Sequence, residues 1–179
     1  MKGVGESFPE FSLKGVVSTD LSTAFKDFSN KDFDGKWLVV FFWPKDFTFV
    51  CPTEITGFGE LNSQFEEAGA KIIGVSTDSE FVHLAWKKEE AGLANLPFPM
   101  LSDIRRELVE ALGVLDEKEG VAQRATFIVD PEGTIRFVMV TDLNVGRNPA
   151  EVLRILKALQ TGGLTPCNWQ PGQDTLKVG

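Results

Sequence analysis

The chain has 179 residues, which is enough for one domain with a substantial core. Hydrophobic residues make up 42% and charged residues 25%, as in ordinary soluble proteins. The net charge of −8 and the pI near 4.7 argue against binding to nucleic acid or to anionic lipid, because both partners require a basic surface. No apolar run approaches the roughly 20 residues of a membrane span, so we expect no membrane partner. The first residues lack the apolar segment of a secretory signal, and we expect a cytoplasmic location.

A continuous apolar segment, residues 37–43, is typical of a central strand that is buried on both faces of a sheet. Residues 5–35 before it predict strands and loops. After Cys51, apolar residues follow the spacing of one helix face, and Gly69 is suited to end that helix. These apolar residues are Ile55, Phe58, Leu61 and Phe65.

The middle of the chain alternates predicted strands with predicted helices. A strand is predicted over residues 71–76, followed by a helix near residues 80–91 that residues 77–79 can cap. Residues 92–99 predict a loop, and residues 100–101 a short strand. The next predicted helix includes Leu108 and Leu112, and Ser102 or Asp103 can cap it. Such alternation favours an α/β fold with helices on the faces of the sheet.

The last third of the chain predicts a turn, a hairpin and a final helix. The charged residues 116–120 suit a turn, and residues 126–129 and 135–140 flank a Pro-Glu-Gly turn as the two strands of a hairpin. A late hairpin makes the central sheet mixed. The apolar stripe of the last helix consists of Val152, Ile155, Leu156 and Leu159. We expect one domain over residues 1–163 and a mobile, Pro- and Gly-rich C-terminal arm over residues 164–179.

Cys51 lies where the buried strand has ended and a helix begins. Pro52 suits the first turn of a helix, and Glu54 stands where the acidic residue of a capping box stands. A sulfur at this position meets free backbone N–H groups and the positive end of the helix dipole, which favour the nucleophilic thiolate. The alternative is a buried structural cysteine, but such a residue would more often lie within the strand.

The segment around Cys51 resembles the active site of the peroxiredoxins. Pro44, Thr48 and Cys51 match the family motif Pro-x-x-x-Thr-x-x-Cys, and the sequence Val-Cys-Pro-Thr-Glu that ends at Glu54 is similar to the typical 2-Cys subgroup. The likeness covers nearly the whole chain, from Gly5 onward. It implies a thioredoxin-like fold, and an enzyme that needs no metal or other cofactor.

The resemblance also implies roles for residues around Cys51. Thr48 corresponds to the catalytic threonine that donates to a peroxide oxygen, although a threonine here could also bond only to the local backbone. Pro44 would shield the site from water, or could simply end the strand. Arg124 corresponds to the arginine that stabilises the thiolate and binds peroxide, whereas a lone arginine is usually a solvated surface residue.

Two further residues are expected to support the site, and the single histidine is not. Arg147 resembles a second family arginine that pairs with the motif glutamate, here Glu54, whose alternative role is to cap the helix alone. His83 is the only histidine and lies between Phe81 and Trp86 on a predicted helix, so we expect it to be structural.

The chain has only two cysteines, Cys51 and Cys167, which cannot form a disulfide framework or, with one histidine, a zinc site. Cys167 resembles the resolving cysteine in the tail of the typical 2-Cys subgroup. That cysteine commonly lies four residues before a tryptophan, a position held here by Thr165, whereas Cys167 lies two residues before Trp169. The alternative is an unreactive tail thiol.

The resemblance implies a thiol-dependent peroxidase that reduces hydrogen peroxide and organic hydroperoxides. Cys51 would form a sulfenic acid, and Cys167 of a partner subunit would condense with it to a disulfide that thioredoxin or a dedicated reductase reduces. The resemblance also implies a homodimer that assembles into a ring of dimers. Two other functions stay open, namely a chaperone-like holdase oligomer and a general disulfide reductase, although the chain lacks the Cys-x-x-Cys motif of the latter.

Overall fold

The computed structural model describes residues 1–177, which are arranged around one seven-stranded sheet. The strands are β1 (Ser12–Val16), β2 (Phe25–Ser29), β3 (Trp37–Phe42), β4 (Ala70–Ser76), β5 (Met100–Ser102), β6 (Leu115–Asp116), β7 (Val121–Ala122), β8 (Arg124–Val129) and β9 (Ile135–Thr141). Strands β6 and β7 pair with each other in a separate small sheet. The helices are α1 (Cys51–Glu60), α2 (Asn62–Glu67), α3 (Glu80–Glu89), α4 (Ala91–Ala94), α5 (Glu107–Leu112) and α6 (Pro149–Gln160), with a 3₁₀ helix at Asn30–Phe33.

The large sheet is mixed, and its strand order is β2-β1-β5-β4-β3-β8-β9. The three strands β3, β4 and β5 are parallel, whereas β1 and β8 run antiparallel to their neighbours β5 and β3. Strand β9 returns along β8 as the predicted hairpin and forms one edge of the sheet. The predicted α/β class and mixed sheet are therefore confirmed.

Strand β3 is apolar throughout because both of its faces are covered. Leu38, Val40 and Phe42 enter one core cluster together with residues of α5. Val39 and Phe41 point to the other face and enter a second cluster with residues of α1, α2, α3 and α6. Leu93 of α4 and Cys51 also belong to this second cluster, so the sheet and five helices surround the sulfur.

Two helices differ from the sequence prediction. The predicted helix after Cys51 is divided at Leu61 into α1 and α2, because two glycines near the end of α1, Gly57 and Gly59, lower its helix propensity. The predicted loop over residues 92–99 begins within the short helix α4, whose Leu93 carbonyl accepts a hydrogen bond of 2.7 Å from the buried ammonium group of Lys87.

Among residues 1–177, no helix has both the length and the hydropathy needed to cross a membrane.

The chain beyond α6 turns back on itself as a loop, residues 164–176, which we call the tail loop. It is closed where the N–H of Leu176 donates to the carbonyl of Leu164 at 2.7 Å. Trp169 is 4% exposed, whereas Cys167, two residues earlier, is exposed. The mobility of the arm stays a prediction, and its last two residues, 178 and 179, lie outside the described part of the chain.

We expect Gly74→Ala to destabilise the protein and to disturb the loop that precedes Cys51. A Cβ atom at Gly74 would lie 2.7 Å from the ring of Trp43 and 2.9 Å from the ring of Phe41. Overpacking of this kind costs about 1–3 kcal/mol, and Trp43 begins the loop. Denaturant unfolding and the rate of Cys51 oxidation by peroxide should both report the change.

Gly15→Ala is the matched control for this prediction. A Cβ atom there would lie 2.5 Å from Leu101, so the fold should lose stability in the same way. Strands β5 and β4 separate Gly15 on β1 from β3, and its Cβ would meet the Leu101 side chain, whereas His83 contacts the Leu101 carbonyl. The reaction of Cys51 should then keep its rate. An equal loss of rate in both variants would contradict a specific effect through Trp43.

Candidate active site

Cys51 is the first residue of α1 and follows the loop of residues 43–50 that leaves β3. Only 1% of Cys51 is exposed, and it lines a cavity of about 440 Å³. The predicted site residue Pro44 is buried in the wall of the same cavity. The other lining residues are Lys45, Thr48, Phe49, Val50, Asp116, Lys118, Glu119, Val121, Arg124, Leu143 and Asn144.

The hydroxyl group of Thr48 lies between two acceptors. It is 2.9 Å from Sγ of Cys51 and 3.0 Å from the carbonyl oxygen of Lys45. A hydroxyl carries one proton and can donate to only one of them at a time. With a Cys51 thiol, Thr48 can accept from the S–H and donate to Lys45, and with a thiolate it can donate to the sulfur. The local backbone contact expected as the alternative role of Thr48 is present, and donation to a peroxide oxygen stays a prediction.

Arg124 brings a positive charge to the sulfur from the first residue of β8. Its Nη1 lies 3.4 Å from Sγ of Cys51 and also donates to the carboxylate of Glu54. Its Nε donates to the carbonyl of Leu143 at 2.6 Å, which fixes the guanidinium plane. Arg124 is only 4% exposed, so it is not the solvated surface arginine that the sequence alone would favour.

Glu54 lies between two guanidinium groups and is 2% exposed. Arg147 binds it with two side-chain bonds, Nε to Oε1 at 2.7 Å and Nη2 to Oε2 at 2.9 Å, and its backbone N–H donates to Oε1 at 2.8 Å. Burial alone would raise the pKa of Glu54, but the hydrogen bonds and charge of Arg147, with the charge of Arg124, hold that pKa below its usual value. The structure thus places the predicted partners in contact.

A buried cluster of three charged side chains lies next to Cys51. The guanidinium groups of Arg124 and Arg147 carry two positive charges, and Glu54 carries one negative charge. The cluster therefore has one positive charge in excess, and the sulfur of Cys51 contacts it.

The start of α1 differs from the predicted capping box. Val50 occupies the N-cap position, Cys51 is the first helical residue, and no side chain caps the helix. Glu54 binds Arg124 and Arg147 instead, because charged guanidinium donors bind a buried carboxylate more strongly than neutral amides do. The hydrogen-bond donors next to the sulfur of Cys51 are therefore the side chains of Thr48 and Arg124.

A buried Asp–His pair holds the loop that carries Thr48. Oδ2 of Asp46 lies 2.6 Å from Nδ1 of His83, and Oδ1 accepts the indole N–H of Trp43 at 2.7 Å. Nε2 of His83 lies 3.1 Å from the carbonyl of Leu101. His83 is thus structural, as expected.

The pKa values of both members of this pair are raised. Burial raises the pKa of Asp46, and the hydrogen bond and charge of Asp46 raise the pKa of His83 against the effect of burial. The sequence analysis missed Asp46, because a single aspartate in a loop has no periodic signal. Its position two residues before Thr48 was the only available indication.

The second predicted cysteine lies outside this cavity. Cys167 is exposed on the tail loop and is not among the lining residues, so the fold of one chain does not bring Cys51 and Cys167 into one pocket. At the rim, Lys45 and Glu119 form an exposed ion pair of 3.2 Å. Within residues 1–177, no three or more His, Cys, Asp or Glu side chains are grouped so as to hold a metal ion.

Residues 4–138 of the chain match the AhpC/TSA family. The chain belongs to this family. Alkyl hydroperoxide reductase C of Mycolicibacterium smegmatis is 53% identical over 98% of this chain and 94% of its own length. The solved structure of Mycobacterium tuberculosis AhpC is 50% identical, covers 95% of this chain and 99% of its own, and has a TM-score of 0.86. The reduced 2-Cys peroxiredoxin of Plasmodium vivax is 34% identical and covers 99% of this chain and 94% of its own, with a TM-score of 0.90.

These matches confirm two of the predictions. The neighbours share the mixed sheet with flanking helices, so the thioredoxin-like fold of the peroxiredoxins is confirmed. The chain is an enzyme of the peroxiredoxin class, a thiol-dependent peroxidase.

We expect Glu54→Gln to destabilise the fold by about 3 kcal/mol at neutral pH, because it leaves two buried guanidinium groups without their anion. The pKa of Glu54 is below its ordinary value of 4.5, so the ionised carboxylate stabilises the fold above that value. This contribution is lost as the pH falls through the folded-state pKa. Denaturant titrations at a series of pH values should show a steeper acid loss for the parent protein than for Glu54→Gln.

Glu107→Gln is the control for this prediction. Glu107 pairs with Arg105, and both side chains are mostly exposed, so the substitution should change stability little at any pH. Identical pH profiles for the parent protein and Glu54→Gln would contradict the role given to the buried carboxylate.

Proposed function

We propose that this peroxidase reduces hydrogen peroxide and organic hydroperoxides through Cys51, and that Cys167 of a partner subunit resolves the product. The observation that carries the proposal is the sulfur of Cys51 in contact with both the Thr48 hydroxyl and the Arg124 guanidinium in one cavity. A hydrogen-bond donor and a positive charge stabilise both a thiolate and the peroxide oxygen on which negative charge develops. The cysteine, the donor and the cation thus meet in one place.

In the first step the thiolate of Cys51 attacks one oxygen of the O–O bond. An S–O bond forms, the O–O bond breaks, and both electrons of that bond leave with the second oxygen, which takes up a proton. The sulfur becomes a sulfenic acid, and the substrate becomes water or an alcohol. Thr48 and Arg124 donate to the oxygens, where negative charge grows in the transition state. Pro44 limits the access of water to this step.

The size and lining of the cavity support organic substrates as well as hydrogen peroxide. A water molecule occupies about 30 Å³ of the liquid, and hydrogen peroxide needs little more. The cavity is about 440 Å³, so it has room for the organic group of a larger hydroperoxide. Val50, Val121 and Leu143 offer apolar contacts for such a group.

In the second step the thiolate of Cys167 attacks the sulfenic sulfur of Cys51. An S–S bond forms and hydroxide leaves, taking up a proton to become water. The exposed position of Cys167 outside the cavity of its own chain supports a link between subunits. A dithiol reductant, either thioredoxin or a dedicated reductase, then restores both thiols by exchange. A reducing compartment such as the cytoplasm would keep both thiols reduced at rest.

Two exposed features support assembly into a dimer and then a ring. Strand β9 is an edge strand whose backbone can pair with a second copy. Beside the cavity, Phe47 is 50% exposed and Phe49 is 95% exposed, so large apolar side chains are available for a second contact. The same apolar surface also keeps a holdase function as a second candidate. A general disulfide reductase is disfavoured, because the two cysteines lie on separate elements.

We expect Cys51→Ser to abolish peroxide reduction, because the nucleophile is lost. Thr48→Ser keeps the hydroxyl and should retain far more activity than Thr48→Val, which keeps the shape but loses the donor. Peroxide consumption with a thiol reductant measures all three variants. Equal rates for the two Thr48 variants would remove its hydroxyl from the mechanism, and suppression of aggregation that survives Cys51→Ser would support the holdase candidate.

We expect stoichiometric peroxide to convert the protein to a disulfide-linked dimer. On a non-reducing gel, the dimer band should appear in the parent protein and be absent in Cys167→Ser, because the sulfur that closes the bond is then missing. A monomer-sized oxidised band that yields a Cys51–Cys167 peptide would show a link within one chain and contradict the proposal.

A further inference from the structure

The side chain of Arg154 on α6 forms a hydrogen bond to the tail loop. The guanidinium group of Arg154 is held by Glu151 in a bidentate pair, with Nε to Oε2 at 2.6 Å and Nη2 to Oε1 at 2.7 Å. Its third nitrogen, Nη1, donates to the carbonyl of Trp169 at 2.8 Å. The Arg154 side chain is 20% exposed, so water screens this contact only in part. Arg154 therefore has a fixed orientation and directs one donor at the tail loop.

The loop that Arg154 holds is itself well bonded around Trp169. The indole N–H donates to the carbonyl of Gln173 at 3.0 Å, and the N–H of Gln170 donates to the side chain of Gln173 at 2.8 Å. With Trp169 only 4% exposed, its ring anchors the loop, and Cys167 stands two residues before the anchor. The exposed cysteine is thus held in place by the tryptophan and arginine, and it is not on a free arm.

We infer that Arg154 positions Cys167 through Trp169, and that release of this contact limits how fast Cys167 reaches the oxidised Cys51. The inference rests on the proposed function, in which those two sulfurs form a disulfide. A disulfide requires Cα atoms within about 7 Å, whereas Cys51 is buried in a core cluster. A rearrangement must therefore precede the bond. The tail loop lies at the end of the chain and is mostly exposed, so part of that rearrangement is expected there.

Two reactions compete for the Cys51 sulfenic acid. In one, Cys167 attacks, the S–S bond forms and water leaves. In the other, a second peroxide molecule transfers an oxygen atom to the sulfur, water leaves, and sulfinic acid results. A loop held by Arg154 delays the first reaction and leaves more time for the second. The position of this contact therefore affects how easily the enzyme is inactivated by its own substrate.

The test compares Arg154→Met with the parent protein during turnover with reductant present. Methionine retains much of the aliphatic volume and a good helix propensity, but it has no donor for Trp169. Intact-mass spectrometry measures Cys51 sulfinic acid per turnover as the peroxide concentration is raised. We expect the variant to form roughly threefold to tenfold less sulfinic acid, as for the loss of one hydrogen bond. The rate of the first oxidation of Cys51 should be unchanged, which a general loss of structure would not permit.

Three further variants make the result specific. Arg154→Lys keeps one cationic donor and should form an intermediate amount of sulfinic acid. Lys157→Met removes a cation from the same helix, one turn away, and should match the parent protein. Glu151→Gln weakens the bidentate pair that orients Arg154 and should shift the ratio in the same direction as Arg154→Met, which covers the case in which Arg154→Met does not fold.

The outcomes separate this inference from the proposed function. If the parent protein forms a dimer disulfide that depends on Cys167, but Arg154→Met forms the same or more sulfinic acid per turnover, the inference is overturned while the proposed function stands. If the parent protein forms no such disulfide, the proposed resolving role of Cys167 fails, and the inference fails with it.

Discussion

Glu54 is the carboxylate that joins the helix bearing Cys51 to two distant parts of the chain. Arg124, at the start of β8, is 70 residues away in sequence, and Arg147, between β9 and α6, is 93 residues away. A single buried anion thus fixes the two guanidinium groups. Without it, Arg124 would lose the partner that holds its Nη1 next to the sulfur. The one positive charge in excess that the cluster presents to the sulfur then follows from this arrangement.

Buried hydrogen bonds hold the loop between β3 and Cys51. Asp46 ties the loop to His83 on α3 and to the indole of Trp43, so Thr48 has little freedom to leave the sulfur. Such rigidity suits the attack on peroxide, because the donors are already in place when negative charge develops. It opposes the next step, in which the buried sulfur must meet a second sulfur. In the proposed cycle, this rigidity favours the oxidation step, and a local rearrangement is needed before the disulfide can form.

The proposed second step would depend on an exposed part of the structure, the tail loop. Cys167 lies on an exposed loop that few contacts hold, among them the anchor Trp169 and its bond to Arg154. Local opening concentrates in segments with few buried contacts, so a modest change in one such contact can alter the reaction rate. The shift of Cys167 toward Trp169 places the cysteine next to its anchor. In the proposed second step, the position of Cys167 is thus tied to Trp169.

The sequence by itself determined the features that are local in the chain. The apolar run of residues 37–43 predicts a buried strand, the helical spacing after it predicts a helix, and their junction places Cys51 at the start of that helix, three residues after Thr48. The match to the peroxiredoxin motif then supplied Arg124, Arg147 and the expected chemistry. The strand, the helix and their junction depend on spacing along the chain, whereas the two arginines were expected only because of the family resemblance.

Only the tertiary structure decided which groups touch the sulfur and which merely lie near it in sequence. A helix-capping role for Glu54 was a reasonable local prediction, and it was wrong because buried guanidinium groups from elsewhere bind carboxylates more strongly. Asp46 and Arg154 gave no signal, because their partners, His83 and Trp169, are 37 and 15 residues away. Contacts between distant segments form only once the core has packed, and no local pattern in the sequence specifies them.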